Sequence, residues 1–142
     1  MDLYWLGYTD KDIRAMTKKE IPYRKPEYIL TTETLNELKT KIRDKKLIKV
    51  LDSYFYHVIK TLENSFCHLK QNAYACIFIG NPSLDGIEVE IWRVLMEYFL
   101  ERNFICECIF EDKIQSRQLF KSRNNKNPDG MKSEFLLVLK KI

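Results

Sequence analysis

Tyr74-Ala75-Cys76-Ile77-Phe78-Ile79 is a continuous apolar run that stops at Gly80-Asn81-Pro82. A short apolar run bounded by turn-forming residues reads as a buried, central strand, because a strand with one wet face would alternate. The sequence around it has a different period. Upstream, Leu47, Val50, Leu51, Tyr54, Phe55, Val58, Ile59, Leu62, Phe66 and Leu69 recur at three- and four-residue steps. That spacing predicts a long helix over 47–69 with a stripe wide enough to pack on a sheet. Downstream, Ile87, Ile91, Val94, Leu95, Tyr98 and Phe99 predict a helix over 87–102. Apolar runs near 104–111 and 134–140 predict two more strands.

Strand–helix–strand with a buried first strand implies an α/β fold. The expected architecture is a partial doubly wound sheet with helices on both faces. The last strand follows a loop rather than a helix, so it should pair antiparallel with its predecessor. Residues 1–46 form a helical lead-in to this 47–142 core. Thr9 and Asp12 fit a capping box at the start of a helix over 9–20. Pro22 and Pro26 bracket an extended connector. A second helix should start near Thr32, with Leu35, Leu38 and Ile42 on one face. The charges that follow it, Arg43, Lys45 and Lys46, read as a solvated face.

The whole chain, 142 residues, fits one domain, and 45% hydrophobic with 31% charged residues is globular composition. Four glycines, Gly7, Gly80, Gly86 and Gly130, exclude a G-x-G-x-x-G or Walker-type phosphate loop. No apolar run approaches the ~18 residues of a membrane span. Met1-Asp2-Leu3-Tyr4-Trp5 lacks the basic-then-apolar pattern of a signal peptide, so a cytoplasmic location is expected. Cys67, Cys76, Cys106 and Cys108 make no C-x-x-C pair. Cys106 and Cys108 should share one face of a strand. With only His57 and His68 to join them, they read as reduced core thiols and not as metal ligands.

Asp112–Ser133 reads as a long loop. From Lys113 to Asn127 it carries Lys113, Arg117, Lys121, Arg123 and Lys126 and no acid, and it adds Asn124, Asn125 and Asn127. Pro128-Asp129-Gly130 is a turn signal. Loops of this length in compact domains are functional or disordered. Lysine and arginine neutralise phosphates, and arginine and asparagine donate in pairs to base edges. The loop therefore reads either as a DNA contact or as a solvated surface of a protein with net charge +4.

Three blocks resemble the C-terminal half of the exocyclic-amino DNA methyltransferases, which methylate adenine or cytosine amino groups. The first is Tyr4-Trp5-Leu6-Gly7. The second is Tyr54-Phe55 followed by Ala75-Cys76-Ile77-Phe78-Ile79-Gly80-Asn81. The third is Arg117-Gln118-Leu119, then Arg123-Asn124-Asn125-Lys126-Asn127-Pro128-Asp129-Gly130, then Glu134-Phe135-Leu136-Leu137-Val138-Leu139-Lys140. The blocks stand in family order across nearly the whole chain, and the third, similar to a closing hairpin, is the most specific. His68-Leu69-Lys70-Gln71-Asn72-Ala73 departs from the family's Pro-Gly-Gly turn.

The resemblance implies the later strands of a Rossmann-like methyltransferase sheet and a loop facing DNA. It also exposes what is missing. The family's catalytic tetrapeptide, Asp, Asn or Ser followed by Pro-Pro-Tyr, has no counterpart, and neither has its Gly-rich S-adenosylmethionine loop. No catalytic and no cofactor residue is therefore assigned, and the chain alone should bind no S-adenosylmethionine and transfer no methyl group. The resemblance implies one portion of a site-specific, restriction-modification type enzyme, completed by a partner chain with the cofactor half. A gene remnant, a small nucleic-acid-binding module and a structural partner without catalysis are the alternatives. Lys113, Arg117, Lys121, Arg123, Asn124, Asn125 and Lys126 are the expected DNA contacts. Gly80, Asn81 and Pro82 are the expected pocket floor, since ligands of open α/β sheets bind at the carboxyl ends of strands. The uncovered strand edge should drive self-association or partner binding.

Overall fold

The computed structural model describes residues 6–19, 24–114 and 132–142. Its elements run α1 (Asp10–Thr17), α2 (Glu33–Lys41), α3 (Lys45–Phe66), β1 (Tyr74–Gly80), β2 (Ser83–Leu84), β3 (Ile87–Glu88), α4 (Ile91–Leu100), β4 (Phe104–Lys113) and β5 (Ser133–Lys141). The chain is mixed α/β, and every strand pair among the described residues is antiparallel.

The helices start where short polar side chains can hold free N–H groups. Thr9 accepts from Asp12 N–H at 3.3 Å, and the Asp12 carboxylate accepts from Thr9 N–H at 3.0 Å, completing the capping box. The Thr9 hydroxyl, then its N–H, donates to the Asp12 carboxylate and holds that carboxyl below the ordinary aspartate range. Thr32 caps α2 by accepting from Leu35 N–H, and Asp44 caps α3 by accepting from Lys46 N–H. The cap at Asp44 starts α3 two residues ahead of the apolar stripe that predicts it.

Helix ends differ from those expected: α1 stops at Thr17 and not at 20, α3 at Phe66 and not at 69, and the largest change is at the start of α4. The 87–102 helix begins only at Ile91, because Ile87-Glu88 pairs with Ser83-Leu84 in a tight hairpin. Asp85 and Gly86 turn it with φ of 55° and 77°. Aspartate followed by glycine tolerates two left-handed residues in a row, which a two-residue hairpin turn demands.

The main sheet has the order β1-β5-β4, so the last strand inserts between the other two. The antiparallel closing hairpin is as expected. β1 is not central in the sheet; it lies at an edge and β5 takes the middle. Alternation along β1 shows why. Ala75, Ile77 and Ile79 point inward, whereas Tyr74, Cys76 and Phe78 point out and are exposed. The apolar run hid a strand with two apolar faces, only one of them covered.

The core lies on the inner face. Leu35 and Leu38 from α2, Leu51, Phe55 and Ile59 from α3, and Val94, Leu95 and Phe99 from α4 form one cluster with Ala75, Leu137 and Leu139. Phe66, Phe99 and Phe104 join helix to sheet at ring separations of 5.0 and 5.5 Å. Lys141 reaches from β5 to the carbonyls of Phe66 and Leu69 at the end of α3. The buried side chains of α2, α3 and α4 thus meet one face of the sheet, which corrects the expectation of helices on both. Outside that face, Tyr74, Phe78, Ile105 and Phe110 remain exposed. A bulge at Glu107 also separates the two β4 cysteines. Cys106 lies opposite Leu139 and Cys108 opposite Val138, so they occupy opposite faces, not the shared face a regular strand would give.

Candidate nucleic-acid interface

The carboxyl end of β1 and the mouth of the β4–β5 hairpin meet at one end of the sheet. Gly80 pairs with Glu134, and Glu134 with Asp112. Beyond them Lys113 pairs with Ser133, and Ile114 N–H donates to the Lys132 carbonyl at 3.0 Å. The structure thereby brings the expected pocket floor, Gly80, Asn81 and Pro82, to the same end as the stem of the basic segment. Lys113 is exposed there. Arg117, Lys121, Arg123, Asn124, Asn125 and Lys126 lie outside the described residues.

The stem itself is mixed in sign. Glu111, Asp112 and Glu134 stand beside Lys113 and Lys132, and Ser133 Oγ donates to Glu111 Oε1 at 2.7 Å. Any net attraction for phosphate must come from the five cations between 113 and 126 and not from the sheet end alone.

Asn81 is buried, at 5% exposure, immediately after β1. Its Nδ2 donates to Glu88 Oε1 at 2.9 Å, and Val89 N–H donates to the Pro82 carbonyl at 2.8 Å. Asn81 therefore braces the β2–β3 hairpin and caps no helix. Its Oδ1 has no hydrogen-bond partner among the described residues, and neither has the buried Nε1 of Trp92 at the start of α4. Trp92 stacks on Phe135 with ring centroids 5.6 Å apart. Sequence reasoning missed Trp92 and Phe135. Their only signal is a tryptophan in the first turn of the helix that follows the strand.

Pro82 also lines a small apolar cleft of about 190 Å³, with Val50, Leu51, Tyr54, Leu84 and Ile91. Small-molecule sites begin at roughly 300 Å³, so this cleft suits one ring and not a whole cofactor. Burial pushes the Tyr54 phenol above its ordinary range, so it stays a neutral donor there. Across Val50 lies a larger cleft of about 620 Å³, which includes Arg24, Lys25, Glu27, Lys49 and Asp52. Asp52 in its wall pairs with Lys39 at 2.5 Å, and Ser53 Oγ donates to the Arg24 carbonyl at 2.5 Å. Asp52 is thus already neutralised and the Ser53 hydroxyl already used, which leaves Glu27, Tyr28, two lysines and an arginine as the other polar groups of the described wall.

S-Adenosylmethionine does not fit the described strand-to-helix connection. Between β1 and α4 the chain makes a Pro82 step and a tight hairpin, and α4 starts on the acid Glu90 without a side-chain cap. No Gly-rich backbone turn offers N–H groups to a cofactor there. Among the described residues no group of His, Cys, Asp or Glu is arranged to hold a metal, and no helix is long and apolar enough to cross a membrane. No protein-family model matches the chain, and no curated protein and no solved structure matches it either.

Proposed function

We propose that this chain is the DNA-binding C-terminal portion of a site-specific DNA methyltransferase, inactive without a second half that carries S-adenosylmethionine and the catalytic tetrapeptide. The observation that supports it most is the shared sheet end. The strand ending in Gly80-Asn81 and the stem of the basic 113–126 segment, two blocks far apart in sequence, open side by side. A base-modifying enzyme must draw its target out of the stack at a cost of a few kcal/mol. Phosphate contacts from Lys113, Arg117, Lys121, Arg123 and Lys126 would offset that cost. Arg123, Asn124 and Asn125 would stand nearest the target base, over a floor of Gly80, Asn81 and Pro82. In this reading the chain binds and positions DNA, and the methyl-transfer chemistry belongs to the other half.

The alternative is a nucleic-acid-binding or structural module with no catalytic tie. Such a module should close its own surface. Phe78 at 65% exposure and Phe110 at 59% leave this one open, which favours the portion of a larger assembly.

The test is the salt dependence of DNA binding, measured on the full chain with its completing half if affinity requires it. Each phosphate contact adds about −0.9 to the slope of log affinity against log salt. Replacing Arg117 and Arg123 with Ala should flatten that slope by up to about two units while circular dichroism stays unchanged. An unchanged slope returns both residues to a solvated loop. Calorimetry of the chain alone with S-adenosylmethionine should give no affinity tighter than roughly millimolar.

A further inference from the structure

The two edges of the sheet are built differently. β4 carries Glu107, Glu111, Asp112 and Lys113, and the bulge between Cys106 and Cys108 breaks its register. Charges and bulges are how proteins stop an edge strand from pairing with another chain. β1 has none of these. Tyr74-Ala75-Cys76-Ile77-Phe78-Ile79-Gly80 holds no charge, no proline and no bulge, and among the described residues it pairs with β5 alone in unbroken register.

The direction of its free backbone groups follows from the ladder. Lys141 N–H donates to the Ala73 carbonyl at 3.0 Å. Bonded pairs alternate in an antiparallel ladder, so the backbone groups of Ala75, Ile77 and Ile79 face β5. Those of Tyr74, Cys76, Phe78 and Gly80 face away from the sheet.

We propose that the β1 edge is a self-association surface. Two copies of this chain pair β1 with β1, antiparallel about a two-fold axis at Ile77, and form one six-stranded sheet. The strand is complementary to itself in that register. Tyr74 falls opposite Gly80 of the second copy, Ala75 opposite Ile79, and Cys76 opposite Phe78. Each pair sets a large side chain against a small one on the same face, and an aromatic ring over a strand glycine is a known stabilising arrangement. The register also places Cys76 opposite Phe78, two residues whose backbone groups both point outward, so they exchange two hydrogen bonds. No charge is buried by the pairing. This inference does not rest on the DNA-binding reading.

Light scattering on the full chain should report a dimer, twice 17.1 kDa. Phe78→Lys puts a charge on the open edge and should give a folded monomer. Phe110→Lys, on the same face but at the β4 edge, should remain a dimer. A wild-type monomer overturns the proposal and leaves the edge to a strand of another protein. Loss of the dimer in both variants overturns it in favour of two outer faces stacked together. The register has its own readout. Cα atoms of a bonded antiparallel pair lie about 5.5 Å apart, within reach of a disulfide. Mild oxidation of Phe78→Cys should therefore link two chains through Cys76, while Phe110→Cys links none. Absence of the Phe78→Cys cross-link overturns the two-fold register and with it the proposal.

Discussion

Leu137 and Phe110 are both large apolar residues of one small sheet, and they live in different solvents. Leu137, on the inner face, has no exposed surface, while Phe110, on the outer face, keeps 59% of its own. The inner face meets α2, α3 and α4 and gains both transfer free energy and close packing. The outer face keeps the same residue types and gains little within the monomer. A protein retains such a face when something else covers it, since patches of this kind mark interaction sites. Stability and association are thus divided between two sides of the same strands.

The largest expected effect tests the covered side. Leu137→Ala deletes a side chain from the centre of the core and should cost about 2–5 kcal/mol in denaturant unfolding. A cost below 1 kcal/mol would show that the inner face is not the core. A smaller effect concerns the helix layer. Tyr98 Oη donates to Glu63 Oε1 at 2.6 Å, joining α4 to α3, and the Arg102 guanidinium lies 3.5 Å over its ring. Burial, then the bond to Glu63, raises the phenol's pKa far above its ordinary value. The folded state therefore favours the neutral phenol. This contribution is fully present below about pH 10, where the unfolded tyrosine begins to ionise, and is lost as pH rises further. Tyr98→Phe should cost about 1 kcal/mol at neutral pH and reduce the alkaline fall in stability. An alkaline limb identical to wild type would remove Tyr98 as its source.

Phe110→Ser should change monomer stability by only about 0.5 kcal/mol in either direction, the range of ordinary surface substitutions. A loss comparable to Leu137→Ala would erase the contrast between the faces. The mildest probe leaves stability untouched. Cys108 faces out and Cys106 faces in, where burial, then the neighbouring Cys108 and Glu107, pushes its thiol pKa up. In the native chain a thiol reagent should modify Cys108 faster than Cys106, and denaturation should abolish the difference. Equal native rates would place both thiols on one face and remove the bulge.

Local features were legible in the sequence because their causes are local. Thr9 with Asp12 and Thr32 with Leu35 needed only a short side chain near free N–H groups. The long stripe of α3 and the three strand positions needed only periodicity. The Asp85-Gly86 turn has a local cause too, but it was not assigned, because the spacing of Ile87 and Ile91 reads as a helix. Of the site, Gly80-Asn81-Pro82 and Lys113 were found by type and place. Trp92 and Phe135 were not, because residues 93–134 separate two rings that stack only after β5 inserts beside β1.

By itself, then, the sequence determined the four helices, the three strands of the main sheet and the closing hairpin, though not every boundary. Each follows from side-chain periods and caps acting within a few residues. Only the tertiary structure decided that β5 takes the middle and β1 an edge, because strand order depends on pairing partners far away in the chain. It alone decided which apolar face is covered, since Phe78 and Ile77 have the same hydrophobic character in sequence and differ only in which side the helices occupy. It alone separated Cys106 from Cys108, because one extra residue in the ladder reverses the side to which the next side chain points.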